Sequence, residues 1–316
     1  MSALISGIHH ITAIAGHPQK NIDFYVGILG LRMVKKTINF DAPDVYHFYF
    51  GDELGTPGTV FTTFPFEGAR KGTKGTGELT YTAFSIPANS IAYWQERLKK
   101  FNVTVSSVLE RFGEKLIRFE DHDGMGIELI ANDKDSRPGW TKGHIPSDSA
   151  IMGFYGATLN LNSKDQTEEL LTKYMDYKFI GEENGRYRYG TKGLPGDIVD
   201  ILVDPNGRQG VQSAGTVHHI AFRTANDKSQ LEIQNILMSN GYRVTEVKDR
   251  NYFKSIYFRE PGGVLFEIAT DEPGFAIDED EAHLGEALKL PEWVESQRDK
   301  IESKLAKVTL NVSDYE

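Results

Sequence analysis

The chain has 316 residues, a quarter of them charged, with a formal charge of −10 and a hydrophobic fraction of 39%. Its length suits roughly two domains of ordinary size, and its acidity argues against nucleic-acid or anionic-membrane partners. No run approaches the ~18 apolar residues of a membrane-spanning helix. The start "MSALISGIHH" lacks the basic and apolar regions of a signal peptide, so a cytoplasmic location is expected. Without cysteine, disulfides, iron–sulfur ligation and thiol catalysis are excluded. His and carboxylates remain as the strong metal ligands.

From Gly7 the chain reads "HHITAIA" as a strand and "PQKNIDFYVGILG" as a helix closed by Gly30. The strands "RMVKKTINF", "VYHFYFG" and "GTVFTTFPF" follow, bounded by Gly, Pro and Asp. A second unit runs from "GELTYTAFSI" at Gly77 to "IRFEDHDGMGIELI", and the Pro/Gly-bearing segment Ser136–Ser149 reads as a linker. "GFYGATLNL" at Gly153 opens a third unit and "GTVHHIAFRT" at Gly215 a fourth. The fourth continues as helix "DKSQLEIQNILMSNG" and strands "YRVTEVKD", "YFKSIYFRE" and "GVLFEIA". The acidic "DEDE" at Asp278 and an amphipathic helix over "PEWVESQRDKIESKLAKV" lie beyond the units.

These units repeat. Gly77, Ala83 and Phe84 fall on Gly215, Ala221 and Phe222 at a shift of 138, and Ile117, Gly124 and Glu128 fall on Ile256, Gly263 and Glu267 at 139. The expected fold is α+β, with four βαβββ modules in two tandem half-repeats, 7–132 and 152–270. A linker, 133–151, joins them, and a tail, 271–316, follows. One module cannot bury its sheet alone, so modules must pair into curved cups.

The repeat also tests the histidines, four of which form the pairs His9-His10 and His218-His219. Each module offers one first-strand and one last-strand position: His10 and Thr62, Tyr81 and Glu128, Gly156 and Asp200, His219 and Glu267. Pairing modules 1 and 4 gathers His10, His219 and Glu267 in one cup, with Thr62 at the fourth corner. Two imidazoles and one carboxylate with open positions are the donor set of non-haem Fe(II) oxygenases. Glu128 and Asp200 would share the other cup without a histidine, as structural carboxylates.

The repeat and the stretches "IHHITAI", "VHHIAFR" and "DRNYFKSIYFREPGGVLFEIATD" resemble the vicinal oxygen chelate superfamily. More narrowly, the chain is similar to the ring-cleaving dioxygenases that act on hydroquinones. The resemblance implies the glyoxalase/bleomycin resistance/dioxygenase fold and Fe(II), with Mn(II) as the alternative ion, held by modules 1 and 4. It places Thr12, His218, Arg250 and Tyr257 around the metal as catalytic candidates. It also implies a small aromatic diol and O2 as substrates, and leaves a homo-oligomer open.

Alternation along a strand groups Leu265, Glu267 and Ala269 on one face, and Phe253, Ser255, Tyr257 and Arg259 on another. The same alternation would turn His9 and His218 away from the metal. For His9 that is the expectation; for His218 a role as acid or base stays equally open. Phe48, Phe50, Phe61, Phe64 and Tyr252 are candidates for an apolar pocket. Three rivals remain: an extradiol catechol dioxygenase, a glyoxalase-type isomerase or lyase, and a non-catalytic protein that sequesters an aromatic or quinone. Glyoxalase-type enzymes usually add a second carboxylate, where this chain has Thr62.

Overall fold

The structure is a computed structural model describing residues 3–316. The first module contributes β1 (Ile8–Ala15), α1 (Pro18–Ile22), β2 (Arg32–Asn39), β3 (Ala42–Gly51) and β4 (Val60–Pro65). Helix α1 runs on as a π-helical turn and ends at Gly30, whose φ of +69° lies in the left-handed region that favours glycine. The second has β5 (Glu78–Pro87), α2 (Ile91–Lys100), β6 (Leu109–Arg111), β7 (Glu114–Glu120) and β8 (Gly126–Asn132). The third has β9 (Gly153–Leu161), α3 (Asp165–Glu169), β10 (Lys178–Glu183), β11 (Arg186–Gly190) and β12 (Ile198–Val203). The fourth has β13 (Thr216–Thr224), α4 (Asp227–Ser239), β14 (Lys248–Asp249), β15 (Phe253–Arg259) and β16 (Leu265–Pro273).

These strands form two eight-stranded sheets, ordered β14-β15-β16-β13-β1-β4-β3-β2 and β10-β11-β12-β9-β5-β8-β7-β6. Modules 1 and 4 therefore share one sheet and modules 2 and 3 the other, as ligand counting requires. The joints are antiparallel pairs of first strands, β1 with β13 and β5 with β9. Left alone, each first strand would be a free edge with unpaired N–H and C=O groups.

Each joint carries two bulges. His10 lies opposite Ala221 but Ile8 opposite Phe222, which makes His9 the extra residue on β1. Thr12 lies opposite His219 but Ala13 opposite Val217, which makes His218 the extra residue on β13. In the other sheet the same irregularity falls at Thr80 and Tyr155. The bulge thus belongs to the repeat, immediately before each first-strand site position.

Aromatic residues join the modules behind the cups. Tyr25 packs on Phe50 and Phe61, Phe61 on Phe84, and Phe84 on Phe154, with ring centroids 4.6–6.1 Å apart. Burying each such ring stabilises the fold by about 1.5–3 kcal/mol. Helix α4 begins with a capping box between Asn226 and Ser229 and buries Gln230, Ile233 and Leu237. The Gln230 amide donates to the Lys254 and Ile268 carbonyls, both at 2.8 Å, and so ties β15 to β16.

Two expected elements differ. Most of "YRVTEVKD" is irregular, because Tyr257 N donates to the Thr245 hydroxyl instead of a main-chain carbonyl, leaving β14 only two residues long. The tail helix is broken into Glu292–Glu295 and Arg298–Glu302, with Val294, Ile301 and Leu305 as its buried stripe. The acidic segment before it is structural. Asp278 and Glu279 each lie 2.5 Å from Nζ of the fully buried Lys35.

Candidate metal centre

Strand β1 presents His10, β13 presents His219 and β16 presents Glu267. All three are buried, and one ligand atom from each lies within 4.8 Å of the others. His10 Nε2 is 3.2 Å from His219 Nε2. Glu267 Oε2 is 2.9 Å from His219 Nε2 and 3.4 Å from His10 Nε2. The other carboxylate oxygen, Oε1, accepts a hydrogen bond from the Ser255 hydroxyl, which fixes the group's orientation.

The bulges correct the expectation for His9 and decide the side of His218. They cancel strand alternation, so both imidazoles of a pair lie on one side and meet through Nδ1, at 2.9 Å for His9 and His10 and 2.8 Å for His218 and His219. His9 Nε2 lies 3.1 Å from the Thr270 carbonyl, which can only accept. Burial, then the neighbouring His10, lowers the His9 pKa to about 3, so its ring is neutral at pH 7. The one proton of neutral His9 therefore sits on Nε2, and its Nδ1 accepts from His10 Nδ1–H. His10 Nε2 is left with a bare lone pair.

The residues present fit a metal ion. Glu267 Oε2 is buried without a hydrogen-bond partner among the described residues. Burial would raise the Glu267 carboxyl, yet the His10 and His219 imidazoles beside it hold it well below the usual carboxylate range. A lone pair on His10 facing an anionic oxygen in a dry site is repulsive unless a cation lies between them.

Above the triad is a cavity of about 500 Å³, within the range of small-molecule sites. His218, Arg250 and Tyr257 line it, as do Phe64, Phe253 and Leu265. Arg250 Nε donates to the Tyr257 hydroxyl at 3.2 Å, and Arg250 Nη2 reaches Asp41 at 3.3 Å. Burial, then the charge of Glu267, pushes the Tyr257 phenol well up against the pull of Arg250, so it stays protonated. Thr12 is fully buried, and its hydroxyl lies 2.8 Å from that of Thr62. Of the five aromatic candidates only Phe64 lines the cavity. Phe48, Phe50 and Phe61 are fully buried in the core, and Tyr252 is buried with its hydroxyl on Asp278.

Sequence reasoning passed over His47 and Tyr49. Both line the cavity, and Tyr49 lies opposite Thr62 across β3 and β4. Their proximity to the fourth corner follows from that register, and two-residue spacing puts His47 on the same face.

The second cup is closed by arginines. Glu128 takes paired bonds from Arg111 at 3.0 and 2.7 Å and from Arg118 at 3.2 and 2.8 Å. Asp200 takes bonds from Arg186 at 3.2 Å and from Arg188 at 2.8 and 3.0 Å. Guanidinium groups thus balance here the charge that a metal would balance in the first cup.

The profile of the Glyoxalase/Bleomycin resistance protein/Dioxygenase superfamily matches residues 7–129 and 147–268. The chain belongs to that superfamily. Within it, the chain is 48% identical over 305 residues to "Putative ring-cleaving dioxygenase MhqO" of Bacillus subtilis (strain 168), spanning 96% of this chain and 97% of that protein. It is 38% identical over 306 residues to the chlorohydroquinone/hydroquinone 1,2-dioxygenase of Sphingobium indicum, spanning 94% and 95% of the two chains. A crystal structure of a "putative dioxygenase" from Bacillus subtilis superposes with a TM-score of 0.94 at 47% identity, covering 98% and 99% of the two chains.

Proposed function

We propose that this protein is an Fe(II)-dependent, extradiol-type ring-cleaving dioxygenase acting on a hydroquinone-type aromatic diol. In the reaction one carbon–carbon bond of the ring opens and both atoms of O2 enter the product. The observation that carries the reading is the convergence of two imidazoles and one unpartnered buried carboxylate oxygen beneath a mostly apolar cavity. Similarity to proteins named as ring-cleaving dioxygenases, one of them for hydroquinone, supports it. His10, His219 and Glu267 would hold the ion. The chemistry that Fe(II) supplies in such a site is electron transfer from an electron-rich ring to O2.

The chain's own residues bind, orient and donate. With His219 coordinating through Nε2, its Nδ1–H is donated to His218 Nδ1, so neutral His218 carries its proton on Nε2. Burial, then the charge of His219, lowers the His218 pKa to about 3, which keeps the ring neutral at pH 7. His218 then presents an N–H donor to the cavity, which suits an acid or an oxygen-binding group better than a base. Tyr257 receives Arg250 on its oxygen and has its own O–H left to donate. Phe64 and Phe253 supply apolar walls for a ring.

A glyoxalase-type reading is weaker, because Thr62 supplies no carboxylate and its hydroxyl is engaged by Thr12 and His47. A catechol can chelate iron through two oxygens, whereas a hydroquinone presents one and relies on pocket contacts for the other. His218, Tyr257 and Arg250 offer such contacts. The test is the ratio of kcat/KM for methylhydroquinone and 3-methylcatechol on the iron-loaded protein. A ratio above one supports the para-diol; a clear preference for the catechol overturns it while leaving the metal site standing.

A further inference from the structure

A chain of four hydrogen-bonding groups crosses the cup from the cavity wall to the buried base of β1. The Tyr49 hydroxyl lies 2.9 Å from His47 Nδ1, His47 Nε2 lies 2.9 Å from Thr62 Oγ1, and Thr62 Oγ1 lies 2.8 Å from Thr12 Oγ1. Tyr49 and His47 line the cavity, whereas Thr12 and Thr62 are fully buried.

Such a chain can run in two directions. If Tyr49 donates to His47, then His47 donates to Thr62, Thr62 to Thr12, and the Thr12 hydroxyl hydrogen has nowhere to go. Among the described residues, Thr62 is the hydrogen-bond partner of that hydroxyl, and burying an unmade donor is costly. If Thr12 donates to Thr62, then Thr62 donates to His47 Nε2 and His47 Nδ1–H donates to the Tyr49 oxygen. Every hydrogen is then placed except that of Tyr49, and the cavity is where Tyr49 can spend it. Burial keeps His47 neutral, and burial together with the nearby Tyr257 and Glu267 keeps Tyr49 protonated, so neither group breaks the chain by ionising.

We infer that Tyr49 is a substrate-binding residue that donates its hydroxyl hydrogen to a ring oxygen of the aromatic ligand, and that His47 is the positioning residue that sets this polarity. Tyr49 and Tyr257 are then two phenols used alike, from β3 and from β15. Each oxygen is occupied by a nitrogen donor, His47 Nδ1 or Arg250 Nε, so that each O–H faces the ligand. The arrangement favours an unprotonated ring oxygen, which accepts from both, over a methylated or hydrogen-bearing one. The ligand class rests on the dioxygenase reading above; the polarity of the chain does not.

Two measurements test it. Hydroquinone is titrated anaerobically into the iron-loaded wild type and the Tyr49→Phe variant, followed by calorimetry, with iron content measured in both. The expected result is a Kd about tenfold higher for Tyr49→Phe at equal iron, the usual loss for one hydrogen bond. Equal Kd values would overturn the role of Tyr49 and leave the dioxygenase reading intact. Failure of the wild type to bind hydroquinone would overturn both. Separately, ¹⁵N-histidine spectra of the Zn(II)-loaded protein report the His47 tautomer without any turnover, using His47→Gln to assign the signal. A proton on Nδ1 supports the inferred direction, and a proton on Nε2 overturns it.

Discussion

His9 and His10 touch through their Nδ1 atoms at 2.9 Å, and the far side of His9 is tied to the Thr270 carbonyl. A main-chain oxygen on β16 thereby fixes the tautomer of a side chain on β1, two residues of chemistry away. The bulge at His9 makes the contact possible.

Breaking that relay should weaken metal binding without removing a ligand. Substituting His9→Phe keeps an aromatic ring, somewhat larger than the imidazole, but removes the acceptor for His10 Nδ1–H. Losing such a partner typically costs ~10–100-fold in metal affinity. Competition with a chelator measures it, and an unchanged iron affinity in a folded variant would contradict the tautomer argument.

Tyr257→Phe addresses turnover instead of metal. Its side chain lines the cavity, and among the described residues the hydrogen-bond partner of its hydroxyl is Arg250 and no ligand of the triad. Iron content should stay at the wild-type level while kcat falls by about 10²-fold, the usual cost of one preorganised donor. A kcat within twofold of wild type would show that the phenol has no part in the reaction.

The second cup predicts a stability effect with a definite pH dependence. Glu128 is fully buried, and Glu128→Gln would leave Arg111 and Arg118 short of a counter-charge, at a cost of about 3–5 kcal/mol. Burial alone would raise the Glu128 carboxyl, but bonding to Arg111 and the charges of Arg186 and Arg118 hold it below its ordinary value of 4.5. A lowered folded pKa gives stability that is present above 4.5 and is lost as pH falls through the folded value. Urea midpoints should therefore separate wild type from Glu128→Gln at pH 7, begin to approach each other as pH falls below 4.5, and meet only below the folded value. Iron content should be unaffected, since this cup holds no imidazole.

The tail should behave as a clamp. Asp278→Asn with Glu279→Gln leaves Lys35 buried without a counter-charge, and its destabilisation should be relieved by adding Lys35→Met. Thermal unfolding of the two variants is the comparison. No recovery in the triple variant would mean that the acidic segment acts through something other than Lys35.

The repeat made the fold legible, because Gly77 onto Gly215 and Glu128 onto Glu267 define the module and its last strand without a homologue. The same register gathered His10, His219 and Glu267, since only pairing modules 1 and 4 puts two histidines in one cup. What stayed hidden depended on a broken period. A bulge adds one residue and reverses which face follows, and nothing in "IHHITAI" marks it, so alternation alone puts His9 on the wrong side and leaves the side of His218 open. His47 was invisible for another reason: its neighbours Phe48 and Phe50 face the core, and only the pairing of Tyr49 with Thr62 shows which face of β3 meets the cavity. The tail's pairing with Lys35 joins segments more than two hundred residues apart, and no local pattern announces it.

The most direct test of the account is oxygen uptake by protein reconstituted anaerobically with Fe(II), for the wild type and Glu267→Gln, on addition of hydroquinone. The account predicts that the wild type consumes one O2 per hydroquinone in proportion to its iron, and that Glu267→Gln neither retains iron nor consumes O2. Iron-loaded wild type that takes up no O2 with hydroquinone, or a Glu267→Gln variant as active as the wild type, would contradict it.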